Sequence, residues 1–392
     1  MARVWNDRAG VTGSLRIMGE SRPLMNKPRK WVLASITVMV SFALCLGLAE
    51  VVLRFLPVAT GIRSSAESSA NSVFRFVPNR DFVFSKRWDM IMANRGHVNN
   101  AGFVNERDYR KDDRTPLIAV IGDSFIEAAM VPFRETLHGR VAAKLAGDFR
   151  VYSFGASAAP LSQYLIWARH AMQEYGPRGL VINIVGNDFD ESLARYRIVP
   201  GYWHYVSKPG GELQLHYFEW ERGPNPIVNL MLGSALGCYL IFNLNVLNHW
   251  DKLAKLLSGR ATAAGPYAGN TAADANAERV RNSLAAIDAF LRDLSGLGLP
   301  SDRVLLTMDG FRYPERAADG AGTYFDVMRR AFRTKAEALG YEVIDLDAAF
   351  FARHARAEEK FEYPHDGHWN PTGHEVAFEA VMGSRLIKTL LH

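Results

Sequence analysis

Cysteine is scarce in this 392-residue chain, which contains only Cys45 and Cys238. Two cysteines, one of them inside an apolar run, cannot form a framework of disulfides, so the fold has to be stabilised by a hydrophobic core. The composition allows such a core, because 48% of the residues are hydrophobic and 22% are charged. A chain of this length forms one large domain or two ordinary ones, and disorder throughout is excluded.

An excess of basic residues is also missing from most of the chain. Lys and Arg outnumber Asp and Glu by 46 to 41, and residues 1–30 alone contain seven basic and two acidic residues. The remaining 362 residues therefore carry 39 of each sign. The net charge of +5 comes from the basic tail. The charge balance of the rest of the chain does not predict the basic surface that nucleic-acid binding proteins usually carry.

No charged residue occurs between Trp31 and Ala49, in the run WVLASITVMVSFALCLGLA. A helix of this length extends about 28 Å, which spans the hydrocarbon core of a bilayer. A buried core helix fits less well, because the run lacks a polar stripe and follows the basic cluster KPRKW. Basic clusters stay in the cytoplasm, so we expect the N-terminus on the cytoplasmic side of the inner membrane and everything after Glu50 on the periplasmic side.

A cleaved signal peptide is the alternative for this run. The run is longer than an ordinary signal-peptide core, no A-x-A site follows it, and Leu44 stands where a lipobox before Cys45 needs a small residue. We therefore expect an uncleaved anchor, followed by a stalk because residues 60–72 are small and polar. The expected divisions are a basic cytoplasmic tail, the anchor, a stalk with a lead-in segment and the main domain, at 1–30, 31–53, 54–115 and 116–392.

Short apolar runs alternate with longer helical patterns throughout most of the main domain. Nearly continuous apolar strands separated by helices are typical of a parallel sheet that is covered on both faces. The sequence therefore predicts an α/β fold with three layers, α/β/α, around a central parallel sheet of the flavodoxin-like type. The strand candidates are 117–122, 150–155, 180–186, 303–310 and 341–346, and the helix candidates are 134–146, 160–175, 275–295 and 322–339.

The alternation stops at about 190–270, which we interpret as an insertion. Its first part predicts a hairpin that turns at 208–211, and the run IVNLMLGSALGCYLIFNLNVL predicts one or two buried helices. A second membrane span is disfavoured, because three asparagines and a serine would lie in hydrocarbon. Seven of the 25 residues at 196–220 are aromatic. They either stack on sugars or pack against the domain, and packing is the simpler interpretation.

Ser124 lies two residues beyond the first strand candidate, in LIAVIGDSFIEAA. Functional groups gather beyond the carboxyl ends of the strands in an open parallel sheet, so this serine is a candidate nucleophile. The alternative is that Asp123 or Ser124 only caps the next helix. Gly155 and Asn187 follow the next two strands, and with the Ser124 N–H group they supply three neutral donors for an oxyanion.

A base for this serine occurs near the C-terminus, in EYPHDGHWNPTGHEVAFEAV. Asp366 and His368 are separated by one glycine, so a loop can fold the carboxylate onto the imidazole and fix its tautomer. Thr372 and Glu375 predict a capping box for the last helix, which places His374 in the first helical turn.

Two other interpretations of these histidines remain open. They can be surface residues of a loop, or they can bind a metal together with Asp366. The metal interpretation lacks a regular ligand spacing, and it leaves Ser124, Gly155 and Asn187 without a role. Its ligands would be His365, Asp366, His368 and His374.

Four short blocks in chain order resemble the SGNH or GDSL hydrolases, whose blocks carry Ser, Gly, Asn and His. They are GDSF with Ser124, FGAS with Gly155, VGND with Asn187, and DGHWN with Asp366 and His368. The third block is G-N-D instead of G-x-N-D. The last block is D-x-H followed by tryptophan instead of D-x-x-H, which is more similar to the membrane-anchored branch related to alginate O-acetylation proteins.

The resemblance implies a hydrolase domain from about residue 116 that acts on ester bonds through an acyl-enzyme on Ser124. His368 would be the general base, Asp366 would orient it, and Ser124, Gly155 and Asn187 would form the oxyanion hole. This chemistry requires no metal or organic cofactor.

Water or a sugar hydroxyl can accept the acyl group, so the resemblance implies an esterase or an O-acyltransferase. The expected substrate is an acylated, especially acetylated, envelope glycan or a small ester outside the cytoplasm. The alternative from another class is a membrane-anchored module without catalysis that binds a glycan or a protein partner through a vestigial pocket.

Overall fold

A computed structural model describes residues 27–65, 73–219, 226–246 and 276–392. The chain divides into two compact units, Met1–Ala49 and Glu50–His392. In chain order the strands are β1 (Arg80–Phe84), β2 (Asn94–Val98), β3 (Leu117–Gly122), β4 (Arg150–Gly155), β5 (Gly179–Ile184), β6 (Trp203–Ser207), β7 (Leu213–Tyr217), β8 (Val304–Met308), β9 (Glu342–Asp345), β10 (Glu362–Tyr363) and β11 (Asp366–Trp369). The α-helices are α1 (Lys27–Leu53), α2 (Ser124–Glu127), α3 (Leu137–Lys144), α4 (Leu161–Tyr175), α5 (Asp188–Glu191), α6 (Pro226–Met231), α7 (Ala235–Cys238), α8 (Ala277–Ser295), α9 (Pro314–Asp319), α10 (Tyr324–Ala338), α11 (Asp347–Ala357), α12 (Pro371–Met382) and α13 (Arg385–Leu391).

Helix α1 is the apolar run that the sequence predicts to be a membrane anchor. Its segment Arg29–Leu53 has a mean hydropathy of 2.3, and none of its most apolar stretch is buried. Within the described ranges it is the one helix that is long and apolar enough to cross a membrane. A signal sequence near an N-terminus shares these properties, and the basic tail that predicts the orientation lies largely outside the described residues.

The central sheet contains five parallel strands in the order β4–β3–β5–β8–β9. Every residue of β3 and β5 is buried, which explains why their sequences are apolar except for Asn183, whose Oδ1 accepts the Thr307 hydroxyl. Alternate side chains of β3 enter different cores. Leu117, Ala119 and Ile121 pack with α4, α8 and α10, whereas Ile118 and Val120 pack with α3, α12 and α13. The prediction of a three-layer α/β/α fold is therefore confirmed, and the nine predicted strands and helices occur within three residues of their predicted bounds.

The described part of segment 54–115 packs against the domain, which differs from the predicted stalk. Phe74, Phe76 and Phe82 are buried in the same core as one face of β3, and β1 pairs with β2 in an antiparallel hairpin. Ser64 forms an isolated β-bridge with Phe76. The small polar composition concealed this packing, because the apolar residues that anchor the segment come just after it. Residues 66–72 of the predicted stalk lie outside the described residues.

The insertion begins with the predicted hairpin, in which β6 and β7 pair around 208–211. Tyr202 and Tyr205 are buried in the main core, so this part of the aromatic segment packs against the domain as the simpler interpretation held. Trp220 lies outside the described residues. Glycines supply the turn, since Gly210 and Gly211 both have positive φ.

The prediction of one or two buried helices in the second part of the insertion is confirmed only in part, because two short helices form and only the second has buried residues. Helices α6 and α7 and a short π-helix at Tyr239–Asn243 follow each other, and α6 has no buried residue. A polar contact fixes this segment. The buried Asn243 accepts the Ala59 N–H group at 3.0 Å and donates to Ser85 Oγ at 2.5 Å. Residues 220–225 and 247–275 lie outside the described residues.

The chain ends with a short hairpin and two helices. Strands β10 and β11 pair antiparallel, and α12 begins directly after β11. The side chain of Asn370 caps α12 by accepting the Gly373 N–H group at 2.9 Å, with Pro371 as the first helical residue. The prediction that Thr372 and Glu375 form a capping box is therefore wrong. The cap is Asn370, two residues earlier, because Pro371 suits the first helical position.

Candidate active site

Ser124 is the first residue of α2, at the carboxyl end of the buried strand β3. Asp123 is the residue that caps this helix, because its carboxylate accepts the Phe125 N–H group at 3.0 Å. The hydroxyl of Ser124 is directed elsewhere. Its Oγ lies 2.7 Å from Nε2 of His368 and 3.3 Å from a carboxylate oxygen of Asp123. The helix is therefore capped by Asp123 and not by Ser124.

Strand β11 carries Asp366 and brings His368 to Ser124 from 244 positions away in the sequence. Residues two apart on a strand point to the same face, so the D-x-H spacing places carboxylate and imidazole side by side. Asp366 Oδ1 forms a hydrogen bond with Nδ1 of the ring and also accepts the His368 N–H group, the latter at 3.0 Å. The three residues predicted as nucleophile, base and orienting acid form one continuous hydrogen-bonded chain.

Asp366 is held as a carboxylate in this chain. Burial alone would raise its pKa, but hydrogen bonds and charge interactions with His368 and Lys86 lower the pKa of Asp366 below its usual range. An ionised acceptor at Nδ1 favours the tautomer in which the proton sits on Nδ1. Nε2 is then free of a proton and can accept one from the Ser124 hydroxyl.

Lys86 is a site residue that the sequence did not reveal. It follows β1, and its Nζ forms an ion pair with the second carboxylate oxygen of Asp366, opposite His368. Lys86 lies 280 positions from Asp366, outside the four blocks, and no local pattern marks it. This ion pair restrains rotation of the carboxylate, so that Oδ1 stays on the imidazole.

We expect Lys86→Met to lower kcat by about two- to fivefold, since half-exposed ion pairs contribute little. Lys86→Arg, which keeps a cation, should restore most of the rate. KM for a small acetate ester should not change, because Lys86 contacts the carboxylate of Asp366 and not the reacting carbonyl. Steady-state kinetics of the three proteins measures this. A rise in KM with unchanged kcat would instead assign Lys86 to substrate binding.

A buried ion pair holds the residues on both sides of His368. Asp309 accepts two hydrogen bonds from the Arg312 guanidinium, at 3.0 and 2.5 Å, and one from Trp369 Nε1 at 3.0 Å. Arg312 also donates to the Gly367 carbonyl at 2.6 Å. Asp309 follows β8, so a neighbouring strand end of the same sheet fixes the loop. The tryptophan that distinguishes the D-x-H-W block is thereby given a positioning role.

Gly155 is in close contact with the helix that carries Ser124. A Cβ atom at this position would lie 2.7 Å from the backbone nitrogen of Glu127 and 3.1 Å from the carbonyl oxygen of Asp123. No other residue fits without displacement of α2. The structure therefore places the predicted oxyanion residue Gly155 beside the nucleophile, opposite Gly122 of β3 in the sheet register.

Asn187 follows β5 and precedes α5, as the strand pattern predicted. Its side-chain nitrogen donates to Glu191 Oε2 at 2.8 Å. The adjacent Asp188 is buried, and it accepts hydrogen bonds from the Val185 N–H group and the Tyr164 hydroxyl. Asn187 is thus anchored by its own helix, and its predicted role as an oxyanion donor stays a prediction.

We expect Asn187→Ala to lower kcat about 10²- to 10³-fold with little change in KM, as loss of one oxyanion donor does. Reaction of Ser124 with a fluorophosphonate should slow but persist, since nucleophile and base remain. Glu191→Ala is the matched control, because it removes the partner of the amide and not the amide itself. Full kcat in folded Asn187→Ala protein would show that Asn187 is only a structural residue of the turn.

Two buried acids flank the nucleophile. Burial raises the pKa of Asp123 to about 6. Burial likewise raises the pKa of Glu127, which accepts the Ser157 N–H group. A raised pKa lets each of these two carboxyl groups carry less negative charge near Ser124, where the oxyanion develops. Glu127 lies two residues after the GDSF block, and its sequence position gave no sign of this burial.

The remaining histidines of the C-terminal segment lie apart from this chain of hydrogen bonds. His374 is buried in α12, where its Nδ1 accepts the Leu137 N–H group at 3.2 Å, and burial holds the pKa of His374 well below its usual value. His365 is exposed. The first-turn position predicted for His374 is confirmed, and the proposed metal ligands do not converge on one point in the described structure.

No protein-family model matches this chain, and no curated protein matches it. Similar solved structures include a member of the lipolytic protein G-D-S-L family from Veillonella parvula DSM 2008, the psychrotrophic esterase EstA from Pseudoalteromonas sp. and the acetyl xylan esterase AlAXEase. Their identities to this chain are 10%, 11% and 12%, with TM-scores of 0.34, 0.34 and 0.35. The matches cover 68%, 70% and 68% of this chain, and 96%, 98% and 97% of the other chains. The structural neighbours are thus GDSL hydrolases and esterases of low identity, and the chemistry of this chain has to be inferred from its own site.

Proposed function

We propose that this protein is a serine-dependent ester hydrolase or O-acyltransferase that works through an acyl-enzyme on Ser124. The observation that supports it is the hydrogen-bonded chain from Ser124 through His368 to Asp366. A serine used only for capping would not need a histidine at 2.7 Å, and a surface histidine would not be held by a buried carboxylate.

The geometry supports a two-step reaction. Ser124 Oγ attacks the ester carbonyl carbon while His368 Nε2 takes its proton, and the carbonyl oxygen becomes an oxyanion. His368 then gives this proton to the leaving alcohol as the carbon–oxygen bond breaks, which leaves the acyl group on Ser124. Water or a sugar hydroxyl next attacks the acyl carbon and gives its own proton to His368. The bond between the acyl carbon and Oγ then breaks, the acid or the new ester leaves, and return of that proton to Oγ restores the serine.

The finer proposal concerns place and substrate. Helix α1 would anchor the protein in the inner membrane, with the catalytic domain on the periplasmic side. The ester would belong to an acylated envelope glycan. The acceptor distinguishes the two activities, because the same acyl-enzyme gives hydrolysis with water and transfer with a sugar hydroxyl.

A fluorophosphonate probe tests the central proposal. The full-length protein in detergent should form a covalent adduct that peptide mass spectrometry locates on Ser124. Ser124→Ala and His368→Ala proteins should not react at this site. A glycan- or partner-binding module with a vestigial pocket would give no adduct in the intact protein, so an unlabelled but folded protein favours that alternative.

The proposed orientation predicts the activity of topology reporters. Alkaline phosphatase fused after His392 should be active, because it folds only outside the cytoplasm, whereas a fused green fluorescent protein exported by the same route should be dark. Exchange of the basic residues before Trp31 for glutamine should weaken this asymmetry. An inactive phosphatase together with a bright fluorescent fusion would contradict the anchor model and an envelope substrate.

A further inference from the structure

A cavity of about 420 Å³ is lined by neighbours of the triad, although Ser124, Asp366 and His368 are not among its lining residues. Lys86, Glu127 and Ser157 are among its lining residues, and each connects it to the site. Lys86 is paired with Asp366, and Glu127 ends the helix that begins with Ser124. Ser157 comes two residues after Gly155 and donates its N–H group to Glu127. The volume is in the range of pockets that bind small molecules, about 300 to 1,000 Å³.

The walls of this cavity are predominantly apolar. Ile62, Val83, Val199 and Tyr202 contribute to them, together with five phenylalanine side chains, Phe74, Phe76, Phe82, Phe84 and Phe242. A sugar ring in such surroundings would lose hydrogen bonds to water with few polar groups to replace them, whereas a hydrocarbon chain gains from leaving water.

Most of the cavity is formed by parts of the chain outside the four blocks. Lining residues within 59–64 and 74–86 of the lead-in segment supply one side, and Phe242 of the insertion contacts this side, since a Cβ atom on Gly61 would lie 2.3 Å from its ring. Asn243 connects the two segments through Ala59 and Ser85. The lead-in and the insertion therefore cooperate to build a pocket that the central sheet and its helices do not provide.

We propose that this cavity binds the acyl chain of the substrate, and that the acyl group is an extended apolar chain of medium length. The inference rests on the proposed ester chemistry at Ser124. An acetyl group would leave most of 420 Å³ unfilled, so the extended chain replaces acetyl as the acyl group. The alcohol part of the ester, whether a glycan or a simpler alcohol, then lies outside this cavity.

Two ester series with the full-length protein in detergent test this assignment. In p-nitrophenyl esters from acetate to decanoate, kcat/KM should rise by about threefold to fourfold per added methylene until the cavity is full. In alkyl acetates from ethyl to decyl, lengthening of the alcohol should change kcat/KM much less. A preference for p-nitrophenyl acetate, or a dependence on the alcohol chain alone, would overturn the proposal.

Two neighbouring tryptophan substitutions provide a matched comparison. Val199 lines the cavity, whereas the adjacent Ile198 is 51% exposed and lies outside its lining. Val199→Trp should lower the ratio of decanoate to acetate kcat/KM by at least about tenfold, because a larger side chain fills space that the acyl chain needs. Ile198→Trp should leave this ratio unchanged. Equal ratios in both variants would contradict the assignment.

A binding measurement separates failure of this inference from failure of the proposed function. The Ser124→Ala protein should bind decanoate much more tightly than acetate by isothermal titration calorimetry, and Val199→Trp in the same background should weaken decanoate binding. Absence of decanoate binding overturns the cavity assignment even if Ser124 reacts with fluorophosphonate. Decanoate binding without reaction at Ser124 overturns the proposed ester chemistry and leaves an apolar binding pocket.

Discussion

Ser124→Ala is expected to abolish ester turnover, with a fall in kcat of about 10⁴- to 10⁶-fold for p-nitrophenyl esters. The reason is chemical, because alanine offers no oxygen to form the acyl-enzyme, and His368 then has no serine proton to accept. Stopped-flow and long-time endpoint assays together cover this range. A burst of p-nitrophenol equal to the enzyme concentration should disappear in the variant if deacylation is the slower step.

The matched control for this prediction is a second buried serine in the same fold. Ser162 in α4 donates to the Trp203 carbonyl at 2.8 Å and does not contact His368. Ser162→Ala should cost a net hydrogen bond, about 0.5 to 1.5 kcal/mol of stability, with kcat within about twofold of the parent. If Ser124→Ala retained a tenth of the activity in folded protein, another nucleophile or a directly attacking water would be required.

The fold was predictable because its core strands are buried on both faces. β3, β5 and β8 have no exposed residue, so their sequences are nearly all apolar, with Asn183 and Thr307 as exceptions, and are typical of strands in a covered parallel sheet. The second part of the insertion was not predictable in this way. Its apolar run resembles that of a buried helix, yet α6 exposes Ile227 and Leu230 by 69% and 79%.

The triad was predictable from position along the chain. Ser124 and Asn187 follow strands whose carboxyl ends meet at one edge of the sheet, and the last block supplied an acid and a base two residues apart. Its supporting residues were not predictable, since each acts through a tertiary contact. Lys86 reaches Asp366 across 280 positions, and Arg312 reaches the Gly367 carbonyl across 55.

The sequence also did not predict which residue caps α12, although the candidates are close together in the chain. Asn370 and Thr372 both have side chains suited to capping, and the sequence favoured Thr372 because Glu375 follows at the capping-box distance. Pro371 decided the outcome. Its fixed φ suits the first helical position, so the helix begins there and Asn370 becomes the cap.

Asp366→Asn is expected to lower kcat about 10⁴-fold while the protein stays folded. An asparagine has nearly the same shape, but its amide can turn an N–H group toward Nδ1 of His368. The ring would then carry its proton on Nε2, where it can no longer accept the proton of Ser124. Steady-state kinetics should show a loss in kcat with KM nearly unchanged, and fluorophosphonate labelling of Ser124 should slow in parallel. A folded Asp366→Asn protein with a tenth or more of the parent rate would exclude Asp366 as the group that sets this tautomer.

A double-mutant cycle with Lys86 connects this prediction to the ion pair at the other oxygen of Asp366. If Lys86 acts only by restraining the carboxylate, Lys86→Met should have its two- to fivefold effect in the parent protein and none in the Asp366→Asn background. Additive effects would mean that Lys86 influences the reaction by another route, such as contact with the ester in the adjacent cavity that it also lines. Lys86→Arg should not change kcat in either background. In the parent protein the arginine still holds Oδ2 of Asp366, and in the Asp366→Asn protein there is no carboxylate at this position to hold.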